Sequence, residues 1–257
     1  MSEGNEATAR IDEEILPFEL GYLPEYFQKK AALELNETPE RKEQSIQELR
    51  EFLERNKHTT GLIFEDYSLI EFLRVNKYNA VKSFSQIKAY VALRKKNSQL
   101  FQNLSYEWLV KTFYDRTLTV LPWRCPDGCT IIIVELENWN PETFPLDQVK
   151  KAIFFYIIQA LREPMTQVNG IKAIIDVKST NINHLRYCTP SNLYLIYYGL
   201  QIHFHNDPKT LVNFFPKAIL PKYYGGDLEN FQMWDWLKRS TTREKLNTLG
   251  GIRNWPE

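Results

Sequence analysis

Three groups of side chains in this sequence have the types and spacing that chemistry could use. Glu135 and Glu137 stand two apart in a run of branched residues. On a β-strand both carboxylates would share one face, as acid–base work on glycosides requires. Such a pair is more often the solvated end of a strand, and nothing nearby completes a site. His203 and His205 share a face in the same way, but only Asp207 has usable spacing for a third metal ligand, so they read as ordinary polar residues. Cys125-Pro126-Asp127-Gly128-Cys129 has the makings of a redox or metal loop. Its three intervening residues fit neither the Cys-x-x-Cys form nor a partnership with a second cysteine pair, and it reads as two loop thiols. None of the ten glycines forms Gly-x-Gly, Gly-x4-Gly-Lys or Gly-x-Ser-x-Gly, so dinucleotide, phosphate-loop and hydrolase chemistry find no support. No catalytic residue, metal ligand or cofactor is assigned, and the chain is expected not to be an enzyme.

The elements that would position a binding site are clearer. Residues 1–30 are rich in acids and include Pro17 and Pro24, so little of the segment can bury an apolar face by itself, and it is expected to form a loosely ordered arm. From 31 to 104 the spacing predicts a helical bundle. Pro39 suits a first helical position ahead of Ile46, Leu49 and Leu53. A second helix spans Asp66 to Val75 with Leu69, Phe72 and Leu73 on one side, a third begins near Asn79 with Val81, Phe84, Ile87 and Val91, and a fourth follows Ser105. Beyond Lys111 the period switches. Thr117 to Leu121 and Thr130 to Glu137 read as strands around the turn Pro126-Asp127-Gly128, Leu146 to Leu161 as a helix, and Gly170 to Val177 as a strand. A helix from Pro190 to Gly199 and a short strand at Ile202 to His205 follow. Residues 105–257 are thus expected to form an α/β domain with a mostly parallel sheet.

The helix at 146–161 is apolar over far more than the ~100° stripe that a sheet-packed helix needs. It is either a central core helix or one that packs on the sheet with one side and lines an apolar cavity with Ile153, Phe154, Ile157 and Leu161. The strand at 170–177 places Ile171, Ala173 and Ile175 on one face. The small Ala leaves room there for a ligand or for a neighbouring side chain.

Composition bounds the rest. Lys and Arg number 32 against 32 Asp and Glu, so the charge balance gives no reason to expect nucleic acid as a partner. The longest strongly apolar stretch, Ala152 to Ile158, is far below the ~18 residues of a membrane span, and no secretory leader is legible. Three cysteines, Cys125, Cys129 and Cys188, argue for a reducing compartment, and a cytoplasmic location is expected.

Several blocks together resemble the CRAL-TRIO family, the group of lipid carriers that includes tocopherol transfer protein and cellular retinaldehyde-binding protein. They are Glu71-Phe72-Leu73-Arg74-Val75-Asn76-Lys77-Tyr78, then Thr166-Gln167-Val168-Asn169-Gly170-Ile171-Lys172-Ala173-Ile174-Ile175-Asp176, and Ile219-Leu220-Pro221-Lys222-Tyr223-Tyr224-Gly225-Gly226-Asp227-Leu228, with Thr189-Pro190-Ser191 between. The likeness runs from about Ala31 to Leu237. It implies an α/β fold in which an N-terminal helical bundle precedes a lipid-binding domain with one apolar pocket. By matching position the wall would draw on Ile153, Phe154, Ile157, Leu161, Ile171, Ala173 and Ile175, with Ile182 and Ile196 beside them. Arg74 and Lys77 would be the basic residues for phosphate, with Asn76 where phosphoinositide-binding members carry another. The resemblance further implies a hydrophobic small molecule or lipid as partner and transient contact with a membrane surface.

This chain departs from the family pattern in one place. Leu195 to Gln201 runs straight into Ile202, where the family has a further strand and a mobile lid helix. Roughly 30 or more residues, the size of one βαβ unit, are missing by that comparison, and the domain is expected to be internally shortened near 201. Two functions are therefore expected of such a chain: carriage of a tocopherol-, retinoid- or phospholipid-like ligand, or service of a shortened variant as a protein or membrane-surface interaction module.

Overall fold

The computed structural model describes residues 15–102, 108, 117–187, 189, 207–229 and 251–255. Cys188, Ile196, His203, His205, the join at Gln201, and the elements expected after Ser105, at 190–199 and at 202–205 lie outside these residues.

The bundle forms where local signals agree. Helix α1 (Glu25–Leu35) precedes α2 (Pro39–Glu54), whose start is fixed by Pro39 and by Thr38, whose hydroxyl accepts the Arg41 N–H at 3.2 Å. After a short strand β1 (Ile63–Phe64) come α3 (Asp66–Val75) and α4 (Ala80–Lys96), the latter capped by the Asn79 side chain on Lys82 N–H at 3.0 Å. Leu49, Leu53, Leu69, Leu73, Ile87 and Val91 close one core. Val81 is 62% exposed: it sits in the first turn of α4, off the stripe that Ile87 and Val91 bury.

The α/β part contains β2 (Leu118–Val120), β3 (Thr130–Glu135), α5 (Leu146–Ala160), α6 (Pro164–Asn169), β4 (Ile171–Asp176) and α7 (Ile182–Leu185). The described sheet has the order β2-β3-β4. It is mixed: β2 runs antiparallel to β3 and β3 parallel to β4, so among the described residues only one of two pairings is parallel. The strand expected to reach Glu137 stops at Glu135, where the backbone turns into a 3₁₀ segment at Leu136–Asn138. Glu135 and Glu137 therefore do not share a strand face.

Successive residues of the sheet face two different layers. Leu118, Val120 and Ile132 pack against Ala152, Phe155, Tyr156 and Ala160 of α5. Ile131, Ile133 and Ile174 face the other way, onto Leu211, Phe215, Ile219, Leu220 and Tyr224 from the 3₁₀ segments between 208 and 224.

Both ends of the described chain cross the boundary drawn at 104–105. Residues 15–30, read as part of a loose arm, are packed: Phe18, Phe27 and Ala31 are buried, and Phe18 belongs to the core under α5. The Glu163 carboxylate receives the N–H groups of Leu20 and Gly21 at 3.0 and 2.9 Å. Acidic composition misleads here because the segment has ready-made surface to dock on. At the other end β5 (Ile252–Arg253) pairs antiparallel with β1, and Ile252 is buried in the bundle core. Residues 251–255 thus belong with the bundle and not with the α/β layer.

One buried cation ties these parts together. Arg124 is 1% exposed. Its guanidinium donates to Phe18 O (3.1 and 2.6 Å), Gly128 O (3.1 Å), Thr130 Oγ1 (3.1 Å) and Thr166 Oγ1 (3.1 Å). Burial pulls it down to about 10, against the pull of Glu163.

Two stability predictions follow from this packing. Arg124→Lys keeps the charge but cannot reach four acceptors, and it should cost about 3 kcal/mol or more in urea unfolding, from charge-assisted bonds of about 1.5–3 kcal/mol each. An unchanged midpoint would show that the guanidinium is dispensable. Glu71 on α3 is the second case: desolvation pushes its carboxyl up to about 8, with Arg162 and Arg74 opposing. The folded value lies above the ordinary 4.5. Its contribution is thus fully present below about pH 4.5 and is lost as pH rises through about 8, at no more than about 1.4 kcal/mol per pH unit. Glu71→Gln should match the parent near pH 4.5 and exceed it in stability near pH 9; parallel unfolding curves across that range would rule this out.

Candidate ligand-binding face

The helix α5 carries two kinds of surface. Val149, Ala152, Phe155, Tyr156, Gln159 and Ala160 are buried, whereas Ile153, Phe154, Ile157, Ile158 and Leu161 are half-buried. The residues expected to share a face thus do lie along one half-open stripe of the helix. Ile153 packs against the core under α5. Phe154 is turned towards the bundle, where its ring meets Phe101 with centroids 5.5 Å apart. Leu161 sits at the helix end as its C-cap.

Cross-strand register explains where the apolar surface opens. Val120, Ile132 and Ala173 form one row across the sheet, and Leu118, Val134 and Ile175 form the next. In each row the β2 residue is buried and the β4 residue is exposed, Ile175 to 40%. Ile171, paired with Thr130, still packs against the core under α5. The apolar layer therefore continues past the helix onto β4 as an uncovered shelf. Among the described residues β4 pairs along one edge only. Val177 and Ile182 extend the exposed run, but Ile182, 76% exposed, joins none of the three apolar clusters and is no part of a wall in this structure.

Of the two basic residues expected to bind phosphate, Arg74 is otherwise engaged. It is buried and forks onto Glu37 at 2.8 and 2.7 Å, while its remaining nitrogen meets Gln167 of α6. This is a clamp between bundle and α/β layer, because a bidentate carboxylate takes the edge that a phosphate would need. Lys77 is exposed, in the left-handed turn between α3 and α4 at φ 52°.

The carboxylates at the strand ends serve packing. The Tyr224 hydroxyl stands 3.2 Å from both Glu135 and Asp176, and burial together with the two carboxylates pushes the phenol upward. Buried His184 accepts the Asn181 N–H through Nδ1 at 3.1 Å, which leaves Nε2 to donate to Trp139 O at 2.8 Å. Among the described residues no helix is long and apolar enough to cross a membrane.

Sequence reasoning missed Arg124, Glu163, Thr166 and Gln167. A lone arginine inside Leu121-Pro122-Trp123-Arg124 was the available signal. It also missed Gln159, a buried amide on the core face of α5 whose oxygen and nitrogen find no hydrogen-bond partner among the described residues. Gln159→Leu should therefore raise stability by about 1–3 kcal/mol in thermal or urea unfolding. A loss of stability would show that the amide has a partner in solution.

The sequence is similar to several known proteins. Residues 116–197 match the model of the CRAL/TRIO domain. An alpha-tocopherol transfer protein-like protein of Homo sapiens is 24% identical over 245 aligned positions, covering 80% of this chain and 72% of that protein. Clavesin-1 of Rattus norvegicus is 26% identical, covering 82% and 71%. Clavesin-2 of Homo sapiens is also 26% identical, covering 85% and 79%. The first alignment uses 80% of 257 residues, about 206, against 245 positions, so that relative carries about 40 residues for which this chain has no counterpart. The domain match ends at residue 197, just ahead of Gln201.

Proposed function

We propose that the chain, whose residues 116–197 match the CRAL/TRIO domain and whose relatives align over most of its length, is a member of that family, binds lipophilic molecules without being an enzyme, and carries its ligand on the shelf between α5 and β4. Ile153, Ile157, Ile171, Ala173 and Ile175 form the wall in this reading. The observation that carries it is the row-by-row loss of burial towards β4, which leaves an apolar face continuous with the core and open to an occupant. A tocopherol-, retinoid- or phospholipid-like molecule fits that surface chemistry, and one relative is named for its likeness to alpha-tocopherol transfer protein. Burying ~300 Å² of such a ligand at ~25 cal/mol/Å² gives a gross driving force of about 7–8 kcal/mol before association costs. Collection and release would occur by transient contact with a membrane surface, without the Arg74 guanidinium.

A second reading rests on the shortfall of about 40 positions against the human relative. If those residues include a pocket cover, ligand is held on an open surface and leaves quickly, and the bundle and shelf act chiefly as an interaction module.

The test uses Ala173→Asp and Ile175→Asp. Both sites are exposed, so stability should change by about 1 kcal/mol or less. Native mass spectrometry of the parent should show one apolar molecule per chain. Both variants should lose it, with affinity for a fluorescent tocopherol, retinal or labelled phosphatidylcholine falling at least tenfold for one of the three probes. Unchanged binding would remove the shelf from the site. A parent that binds none of the probes and carries no lipid would favour the interaction module.

A further inference from the structure

The loop thiols that spacing alone left as ordinary cysteines are brought together by the fold. Cys125, Asp127 and Cys129 each present one ligand atom, and the three atoms lie within 4.8 Å of one another. Both cysteines are free and buried, while Asp127 reaches solvent. We propose that this loop is a binding site for a thiophilic divalent ion, zinc, held by Cys125 Sγ, Cys129 Sγ and Asp127 Oδ1. The proposal is independent of the lipid-carrier reading, because the loop lies on the far side of β3 from the shelf, with Cys125 and Cys129 in the opposite core.

The donor set and its surroundings both favour that ion. Zinc takes thiolate at about 2.3 Å and carboxylate at about 2.0–2.2 Å, and with three protein ligands it keeps a position for water. Tetrahedral zinc holds such atoms under about 4 Å apart, so small side-chain rotations suffice. The two oxygens of Asp127 are already divided: Oδ1 meets the Cys125 thiol, and Oδ2 accepts from Lys172 Nζ at 2.6 Å. Lys172 therefore orients the carboxylate from outside, as supporting partners of metal ligands do. Two thiolates and a carboxylate carry three negative charges, which zinc and Lys172 together balance. The Cys129 thiol donates to Asn169 O at 3.0 Å, a backbone contact that holds its sulfur at the loop.

The loop is also preformed. Cys125 N–H donates to Cys129 O at 3.1 Å, Gly128 N–H to Cys125 O at 2.8 Å, and Arg124 holds Gly128 O. Gly128 has φ 85°, and a Cβ there would come within 2.7 Å of Phe27 Cε1 and 2.5 Å of Asn169 Nδ2. Only glycine fits, so the turn is seated against α1 and the α6–β4 join before any ion arrives. Binding replaces two thiol protons: one ion enters as two S–H bonds break and two protons go to solvent.

The full chain, reduced and stripped with chelator, is titrated with zinc against a chromophoric chelator and with cadmium by its thiolate charge-transfer absorbance. The expected result is one ion per chain, release of about two protons at a pH below the thiol range, and slower alkylation of Cys125 and Cys129 in the zinc-loaded chain than in the stripped chain, compared in mild denaturant that opens both thiols to the reagent. Cys188→Ser should bind as the parent does, Cys125→Ser and Cys129→Ser should abolish binding, and Asp127→Asn should weaken it at least tenfold. The alkylation pattern needs no variant and decides the matter if a cysteine variant fails to fold. No uptake of either ion, binding that survives both cysteine variants, or loss of binding in Cys188→Ser alone would overturn the proposal.

Discussion

A guanidinium withdrawn from water has to find its acceptors within the chain, and Arg124 imposes that demand at the centre of this molecule. Its acceptors come from the N-terminal strap at Phe18, the turn at Gly128, the first residue of β3 at Thr130 and the helix α6 at Thr166. None of these can shift alone without leaving a buried N–H unpaired. Thr130 and Thr166 also bond to each other at 2.8 Å, which fixes α6 against the start of β3. The loop that brings the thiols together and the seat of the N-terminal strap are both set by this one side chain.

Arg74 solves a related problem at the border between bundle and α/β layer. It is nearly as buried, but it carries its counter-charge with it in Glu37, and Gln167 takes what remains. The two arginines hold α6 through adjacent residues, Thr166 and Gln167. The side of the sheet under α5 has no such polar clamp at β4, and there apolar packing simply thins out from Leu118 and Val120 towards Ile175 and Ala173.

What the sequence made legible follows from how local each cause is. Pro39 with Thr38, the spacing of Leu69 and Leu73, and the alternation of Ile171, Ala173 and Ile175 act within a few residues, and those elements stand where expected. Long-range causes were invisible. Acid-rich composition hid the docking of Phe18 and Phe27, and no pattern within Arg74-Val75-Asn76-Lys77 could announce Glu37 as a partner. Glu137 was misplaced because strand and 3₁₀ turn read alike at Leu136. For the shelf, alternation identified the apolar face of β4, but how far α5 would cover it depends on the placement of a helix over a sheet. The thiols are the reverse case: their interval in sequence looked unhelpful, and a turn that needs Gly128 closes the gap.

The crossing of the chain ends bears on the order in which the protein is made. Phe64 of β1 pairs with Ile252, Glu65 N–H donates to Gly251 O at 2.9 Å, and Ser68 reaches the same carbonyl across a separation of 183 residues. While the bundle helices leave the ribosome, the core that Ile252 completes is still open, and β1 and Glu65 must wait with unpaired backbone until synthesis reaches residues 251–253. Contacts of such long sequence separation slow folding and prolong exposure of apolar surface. The bundle, though built of local helices, is thus one of the last parts of this molecule to be finished, and its nascent form is the state in which a chaperone would meet it.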